Sequence, residues 1–192
     1  MDTEQLARAS VYALIARILT SAPDADLLGR LRAIEVDDSP GGDAMARSWA
    51  VMRLAAEHAE PEPVDDEYHR LFIGVGRGEL VPYGSWYMTG FLMERPLADL
   101  RDHLAALGYE RSESVKEPED HAGSLCEVMT HLIQDGESIE EQRAFFEQHM
   151  GPWLTRFFED LEHAQAAVFY RAVGSLGKSF VELEQQYLSM GV

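Results

Sequence analysis

The sequence predicts an all-α fold: a single-domain helical bundle of roughly eight to ten helices with a long irregular central loop. Composition is the first indication, because Ala and Leu together number 43 against 23 for Val, Ile and Thr, a bias toward helix. Periodicity is the second, because apolar residues recur at helical spacing along most of the chain. No pair of alternating apolar and polar runs has the pattern of a β-hairpin. With 192 residues, the chain is expected to form one domain covering 1–192.

The first third of the chain is predicted to contain three helices. The first can be capped by Asp2 or Thr3, the second covers roughly 25–34, and Asp43 can cap the third. Residues 57–67 are acidic and contain two prolines, which indicates a solvated connection into a short helix at 64–72. The predicted core stripes are Ala7, Val11, Leu14 and Ile18 in the first helix and Met45, Trp49, Met52 and Ala56 in the third.

The middle of the chain has the most irregular composition. Residues 74–85, GVGRGELVPYGS, contain four glycines and a proline, which interrupt any helix. A helix is then predicted from Pro96 to a stop at Gly108. Aromatic residues cluster at the end of this run and just after it, at Tyr83, Trp86, Tyr87 and Phe91. They are equally compatible with core anchors and with a peptide-binding surface, which uses aromatic rings with polar tips.

The segment 117–133, EPEDHAGSLCEVMTHLI, combines a polar cluster with a helical stripe. Pro118 suits the first position of a helix, and Glu119 and Asp120 would complement its positive end. His121 extends the stripe, so a titratable group is expected where a buried seam meets the surface. The stripe itself is Leu125, Val128, Met129, Leu132 and Ile133.

The last part of the chain is predicted to contain three more helices. Ser138 with Glu141 has the pattern of a capping box, and Gly151-Pro152 separates that helix from the next. The final helix has the longest apolar seam, which consists of Phe169, Val173, Leu176, Phe180, Leu183 and Tyr187.

Charge and cysteine content narrow the class of protein. The formal net charge is −18, with 34 acidic and 16 basic residues, which argues against nucleic acid or an anionic membrane as partner. Cys126 is the single cysteine, so no intrachain disulfide can form, as is usual in a reducing cytosol. No signal peptide and no membrane-spanning run are found, so we expect a cytoplasmic protein without direct membrane insertion.

Two glycine-containing runs resemble nucleotide loops. Residues 172–179, AVGSLGKS, differ from the phosphate-loop pattern G-x-x-x-x-G-K-[ST] at Ala172. The apolar seam of the final helix continues through this run, so we expect a helix there. The run GVGRG at 74–78 lacks the βαβ setting of a dinucleotide site. No cofactor is therefore predicted.

The sequence contains no complete set of residues for metal ligation or for nucleophilic catalysis. There is no Glu-x-x-His pair, and His121, Cys126 and His131 are five residues apart, which does not place them on one helix face. Ser85 lies outside a nucleophile elbow. His121 could form an acid–base pair with a neighbouring carboxylate or cap its own helix, and the sequence leaves both open. We predict no metal ligand and no catalytic residue.

Several motifs together resemble the TorD/DmsD family of redox-enzyme maturation chaperones, which is related to NarJ. They are YHRLFIG at 68–74, PYGSWY at 82–87 and EPEDH at 117–121, the last similar to the E-P-x-D-H signature of the family. HMGPW at 149–153 and FYR at 169–171 also resemble family members. Gly84 departs from the pattern, since family members more often have an acidic residue before this serine.

The resemblance implies an all-helical cytoplasmic chaperone without enzymatic activity. Its partner would be the twin-arginine leader and the apo-form of a molybdenum-cofactor oxidoreductase, such as a formate dehydrogenase or an S-/N-oxide reductase. The chaperone would assist cofactor insertion and delay export. Guanine nucleotide binding has been proposed for the family, and no motif here supports it. The implied peptide-binding residues are Tyr68, Leu71, Phe72, Tyr83, Ser85, Trp86, Tyr87, Glu117, Glu119, Asp120 and His121.

The residues themselves agree with a basic, partly apolar ligand, because carboxylates precede an apolar seam at 117–133. Two other classes stay open: a helical nucleotide-binding protein or hydrolase, and a purely structural helical adaptor. Oligomeric state is also open between a monomer and a homodimer that exchanges helices through the central loop.

Overall fold

The computed structural model describes residues 2–36, 43–74, 77–110 and 117–190. These residues form ten α-helices and no strand, so the predicted all-α fold is confirmed for them. Within these ranges, none of the helices combines the length and the hydropathy that a bilayer-spanning segment needs. The helices are α1 (Thr3–Thr20), α2 (Ala25–Arg32), α3 (Ala44–Glu57), α4 (Pro61–Tyr68), which continues into a π-helical turn (His69–Ile73), α5 (Gly84–Thr89), α6 (Arg95–Ala106), α7 (Ala122–Gln134), α8 (Ile139–His149), α9 (Leu154–His163) and α10 (Phe169–Ser189).

The chain divides into two compact units. The first unit consists of Met1–Thr20, Pro82–Leu154 and Leu188–Val192, and it contains α1 and α5 to α8. The second unit consists of Ser21–Val81 and Thr155–Tyr187, and it contains α2 to α4 with nearly all of α9 and α10. The assignment of 1–192 to a single domain stays a prediction.

In the first unit, α1 packs against α7. The two helices approach closely at Gly123, where an added Cβ would lie 2.7 Å from the side chain of Thr20. The stripe predicted for α7 is largely confirmed, since Leu125, Met129, Leu132 and Ile133 are buried and Val128 is half-buried. This packing holds α7 in place as the base of the site described below.

The stripe predicted for α1 is mostly wrong. Ala7 is exposed and Val11 and Leu14 are only half-buried. The buried face includes a polar residue, Arg8, whose guanidinium donates to the side-chain oxygen of Gln142 at 2.8 Å. The buried face also has apolar residues at helical spacing, namely Tyr12, Ile15, Ala16 and Leu19, so the apolar pattern alone did not decide which face is buried. The buried residues of α1 are Arg8, Ala9, Tyr12, Ile15, Ala16, Ile18 and Leu19.

Helix α4 begins at Pro61, three residues before the helix predicted at 64–72, so the prediction of a solvated connection is wrong for 61–63. Proline fits the first turn of a helix because the N–H that it lacks has no acceptor within the helix. The irregular central loop is confirmed in part. Gly74 and residues 77–83 are non-helical, whereas Gly84 and Ser85 already belong to α5.

The run at 172–179 that resembles a phosphate loop lies inside α10, as expected. Its glycines allow α9 and α10 to approach closely. A Cβ at Gly174 would lie 2.6 Å from the backbone nitrogen of Glu162 and 2.8 Å from the carbonyl oxygen of Phe158. A Cβ at Gly177 would overlap the ring of Phe158. Helix packing therefore accounts for both glycines.

Replacing Gly174 with alanine is expected to lower the free energy of unfolding by about 2–3 kcal/mol, because the clashing atoms belong to the backbone and cannot move aside. The matched control is Gly29→Ala in the interior of α2, where an added Cβ meets nothing within 4 Å. The control is expected to stabilise by about 0.5–1 kcal/mol through helix propensity and unfolded-state entropy. Urea unfolding measures both, and a neutral Gly174→Ala would contradict the close approach.

Candidate functional site

Two motifs that are distant in sequence are joined in the first unit. Tyr83 and His121 form an antiparallel bridge. The N–H of Gly84 donates to the carbonyl of Asp120 at 2.9 Å, and the N–H of Ala122 donates to the carbonyl of Pro82 at 2.8 Å. The bridge places the starts of α5 and α7 side by side. The predicted helix start at Pro118 is therefore wrong: α7 begins at Ala122, after the paired segment.

Asp120 is buried and caps α5 rather than forming the first turn of α7. Its Oδ2 accepts the N–H of Ser85 at 2.8 Å, which also complements the positive end of α5. Its Oδ1 and the hydroxyl of Ser85 are buried and have no hydrogen-bond partner among the described residues. Unpaired buried polar groups destabilise a fold, typically by about 1–3 kcal/mol each.

His121 is the N-cap of α7, and its Nδ1 accepts the N–H of Gly123 at 3.1 Å. The proton of the neutral ring is therefore on Nε2. Burial lowers the pKa of His121 to about 4, although Glu117 and Asp120 act in the opposite direction. At neutral pH the ring is uncharged, so it does not offset the negative charge of the carboxylates in the signature.

Two carboxylates of the signature are held by neighbouring side chains. The hydroxyl of Tyr83 donates to Oε2 of Glu117, and its ring lies edge-on to His121 with centroids 5.2 Å apart. Arg101 of α6 donates to one oxygen of Glu119 through Nε at 3.0 Å and through a terminal nitrogen at 2.8 Å. These contacts orient both carboxylates at the edge of a cavity.

This cavity, the acidic cavity, has a volume of about 440 Å³ and is lined by residues of α6, α7 and the segments that precede α7. Leu104 and Val128 provide apolar surface. Glu110 and Glu127 add two carboxylates that form no ion pair with any described residue. The other lining residues are Arg101, Tyr109, Glu117, Glu119, Ser124 and His131. Among the described lining residues, four carboxylates and one arginine surround a partly apolar concavity.

Sequence reasoning missed most of the lining of the acidic cavity. Glu127 and His131 are four residues apart, so their positions on one face of α7 could have been recognised from the sequence. Arg101 and Tyr109 carry no such signal, because they reach the cavity from other segments.

Three of the aromatic residues predicted at the central loop, Tyr83, Trp86 and Tyr87, are half-buried in the first unit, whereas Phe91 is 68% exposed. The ring of Tyr87 stacks on Trp153, with centroids 5.4 Å apart and an interplanar angle of 29°. Trp153 donates from Nε1 to the carbonyl of His149 at 2.8 Å. Tyr87 is therefore anchored, and Tyr83 and Trp86 keep part of their surface exposed.

The three remaining predicted site residues belong to the second unit. Leu71 is buried, while Tyr68 and Phe72 are half-buried. The rings of Tyr68 and Phe72 lie 5.2 Å apart, and the ring of Phe72 lies 5.4 Å from that of Tyr170. The predicted residues thus form two groups, one in each unit.

The single cysteine, Cys126, is buried in α7. Burial raises the pKa of the Cys126 thiol, which stays protonated and is a poor nucleophile. In the part of the chain that the structure describes, no three His, Cys, Asp or Glu side chains are arranged to hold a metal ion.

Comparison with protein families gives one match that covers more than half of the chain. The sequence model described as nitrate reductase delta subunit matches residues 39–159.

Similar proteins carry the name of a chaperone. A protein from Vibrio cholerae serotype O1 named chaperone protein TorD is 29% identical over 153 residues. The matched region is 74% of this chain and 65% of that relative, so this chain spans about two thirds of its length. A protein of the same name from Actinobacillus pleuropneumoniae serotype 7 is 24% identical over 175 residues, or 91% of this chain and 78% of the relative.

One solved structure has a similar fold. It is a crystal structure described as that of a candidate redox enzyme maturation protein from Archaeoglobus fulgidus. The two align over 91% of this chain and 93% of the other, with a TM-score of 0.58 and 18% sequence identity. At that identity the likeness is one of fold.

Proposed function

We propose that this chain, which belongs to the nitrate reductase delta subunit family, is a maturation chaperone. In this proposal, it binds the twin-arginine leader of a molybdenum-cofactor oxidoreductase. Two relatives are named chaperones, which supports a binding role without enzymatic turnover. The observation that carries the proposal is the acidic cavity beside the joined motifs, which combines four carboxylates with apolar surface. A leader with two arginines and an apolar stretch is complementary to both features.

The chemistry of the cavity suits arginine. A guanidinium can bind a carboxylate through two parallel hydrogen bonds, and such charge-assisted pairs are stronger than neutral ones. Glu110 and Glu127 form no ion pair with a described residue and would bind the leader arginines directly. Glu119 is paired with Arg101, so a leader arginine would compete with that side chain. Leu104 would contact the apolar part of the leader.

In this proposal, Asp120 and His121 position the site rather than touch the leader. Both are buried and hold the starts of α5 and α7. Their replacement by alanine would weaken binding by disturbing the bridge between the two motifs.

The test is a titration with a fluorescent peptide that carries two adjacent arginines before an apolar run. Glu110→Gln with Glu127→Gln is expected to weaken binding by about ten- to a hundredfold, since each glutamine keeps an acceptor oxygen but loses the charge that strengthens the hydrogen bond. A peptide with two lysines should bind less tightly to the unaltered protein, because an ammonium cannot form the bidentate contact.

The matched control is Glu140→Gln with Glu147→Gln, two exposed carboxylates of α8 in the same unit. This control changes the net charge equally and should leave the affinity within about twofold. If the control weakened binding as much as the cavity variant, general attraction rather than the acidic cavity would explain the affinity.

A further inference from the structure

Most of the large exposed apolar side chains of the first unit lie in one short segment, the apolar turn, which covers residues 88–93. Among the described residues of this unit, six large apolar side chains are exposed, and four of them belong to the apolar turn. They are Met88 at 44%, Phe91 at 68%, Leu92 at 49% and Met93 at 74% exposed. Single exposed apolar residues are ordinary, but a contiguous set indicates a surface that another molecule covers.

Local hydrogen bonds hold the apolar turn in place. The hydroxyl of Thr89 donates to the carbonyl of Ser85 at 2.7 Å and accepts the N–H of Phe91 at 3.2 Å. Met93 has a φ of 59°, the only positive φ of a described residue other than glycine, and this conformation is unfavourable for a residue with a Cβ. A turn that is fixed in this way loses little further conformational entropy when it binds a ligand.

A second cavity adjoins the apolar turn. Its volume is about 310 Å³, and it is lined by residues of α5, α6 and α8 together with Asp120. Its charged lining residues already contact other protein groups, since Arg95 and Asp99 form an ion pair at 3.6 Å and Asp120 caps α5. Met88 and Leu100 are the part of the lining that an apolar side chain of a ligand would touch.

Helix α6 connects the apolar turn to the acidic cavity. The turn ends one residue before α6. Leu100 lines the second cavity, and the next residue, Arg101, lines the acidic cavity. Arg101 is six residues after the first residue of α6, which is about 9 Å along the helix axis. About three residues of an extended peptide span that distance, so one bound segment can reach both surfaces.

The acidic cavity is too small to hold the whole of a leader. Its volume of about 440 Å³ is typical of one small ligand, and Leu104 and Val128 are its aliphatic lining residues. The apolar stretch of a signal sequence has at least about seven residues. These are roughly 23 Å long when extended, and roughly 10 Å in both length and width as a helix. Most of the apolar stretch must therefore contact another surface.

We propose that the apolar turn binds the apolar stretch of the leader while the leader arginines occupy the acidic cavity. This inference rests on the proposed function and extends it to a second surface of the same unit. Phe91 and Met93 would contact the stretch, and one of its side chains would enter the second cavity against Met88. Methionine side chains are flexible and polarizable, so the turn would accept apolar stretches of different sequence.

Two peptides separate the contribution of the apolar turn from that of the acidic cavity. Both carry two adjacent arginines. In the apolar peptide a run of about seven apolar residues follows them, and in the polar peptide serine and glycine replace this run. Binding is measured by fluorescence anisotropy. The unaltered protein is expected to bind the apolar peptide at least about tenfold more tightly than the polar peptide, because burial of apolar side chains is favourable.

The turn variant, Phe91→Ser with Met93→Ser, should remove this preference. Its affinity for the apolar peptide should fall by at least about tenfold, and its affinity for the polar peptide should stay within about twofold. The matched control is Leu6→Ser with Met190→Ser, which replaces the other two exposed large apolar residues of the first unit. The control should leave the preference unchanged. Circular dichroism verifies that both variants are folded.

Three results would overturn the inference. They are a turn variant that keeps the preference, equal losses of affinity for both peptides in the turn variant, and a control that acts as strongly as the turn variant. A dimer in solution that the turn variant converts to monomers would overturn it as well, since the apolar turn would then bind a second copy of this chain.

Failure of the proposed function gives a different result. In that case, Glu110→Gln with Glu127→Gln would leave the affinity for both peptides unchanged, whereas the turn variant would still remove the preference for the apolar run. The two sets of variants therefore test the acidic cavity and the apolar turn separately.

Discussion

Glu67→Ala is expected to lower the free energy of unfolding by about 3–5 kcal/mol, because it leaves several buried donors without a partner. Glu67 is 3% exposed, in the last turn of α4. Its Oε1 accepts the N–H groups of Val168 and Tyr170, both at 2.7 Å, and its Oε2 accepts that of Phe169 at 3.0 Å. The first N–H groups of a helix have no acceptor within the helix, and this carboxylate satisfies them from α4.

Urea unfolding of two further variants shows how much of that loss comes from the charge of Glu67 and how much from its acceptor oxygens. Glu67→Gln keeps an acceptor oxygen but loses the charge, so its effect should be smaller than that of alanine. The control is Glu62→Ala, an exposed residue in the first turn of the same helix, which should change stability by less than about 0.5–1 kcal/mol. A loss below about 1 kcal/mol for Glu67→Ala would mean that water replaces the carboxylate at the start of α10.

Acidification is expected to destabilise the fold between pH 6.5 and 4, before most carboxylates titrate. Burial lowers the pKa of His121 to about 4. An unfolded chain binds the proton near pH 6.5, so across this interval it holds more protons than the folded chain. The contribution of His121 to the free energy of unfolding is therefore fully present above pH 6.5 and is lost as the pH falls toward 4. His121 alone accounts for a loss of up to about 3 kcal/mol.

A second histidine acts in the same direction. Burial, and then the neighbouring His103, lower the pKa of His149 to about 4, while Asp99 opposes them. Nε2 of His149 lies 2.8 Å from Nδ1 of His103, whose Nε2 lies 3.0 Å from Glu141. The carboxylate of Glu141 accepts from Nε2 of His103, so in the neutral pair Nδ1 of His103 accepts from Nε2 of His149. Protonation of His149 would therefore keep this hydrogen bond and place a positive charge on a buried ring.

Urea unfolding at several pH values measures the contribution of His121. His121→Asn keeps a good N-cap and removes the titrating group, so the slope of stability against pH should decrease by one proton. His163→Asn, at an exposed position of α9, is the control and should leave the slope unchanged. An unaltered slope in His121→Asn would mean that His121 is not held neutral.

The helical fold could be predicted from the sequence because its information is local. Apolar spacing identified the buried faces of α7 and most of α10, and the seam through 172–179 correctly excluded a phosphate loop. The same rules chose the wrong face of α1, because two sets of apolar residues follow helical spacing there and the tertiary packing buries the other one. They also placed the start of α7 at Pro118, because a bridge to Tyr83 cannot be read from neighbouring residues.

By itself, the sequence determined the helical class, the acidic charge and the motifs from which the family can be identified, since each depends on residue type and spacing along one segment. Only the tertiary structure decided which of those motifs are in contact with one another. It joined Tyr83 to His121, placed Asp120 as the cap of α5 and arranged Glu117 and Glu127 around one cavity. The physical reason is that buried hydrogen bonds and concave surfaces form between segments distant in the chain, whose contacts no local pattern records.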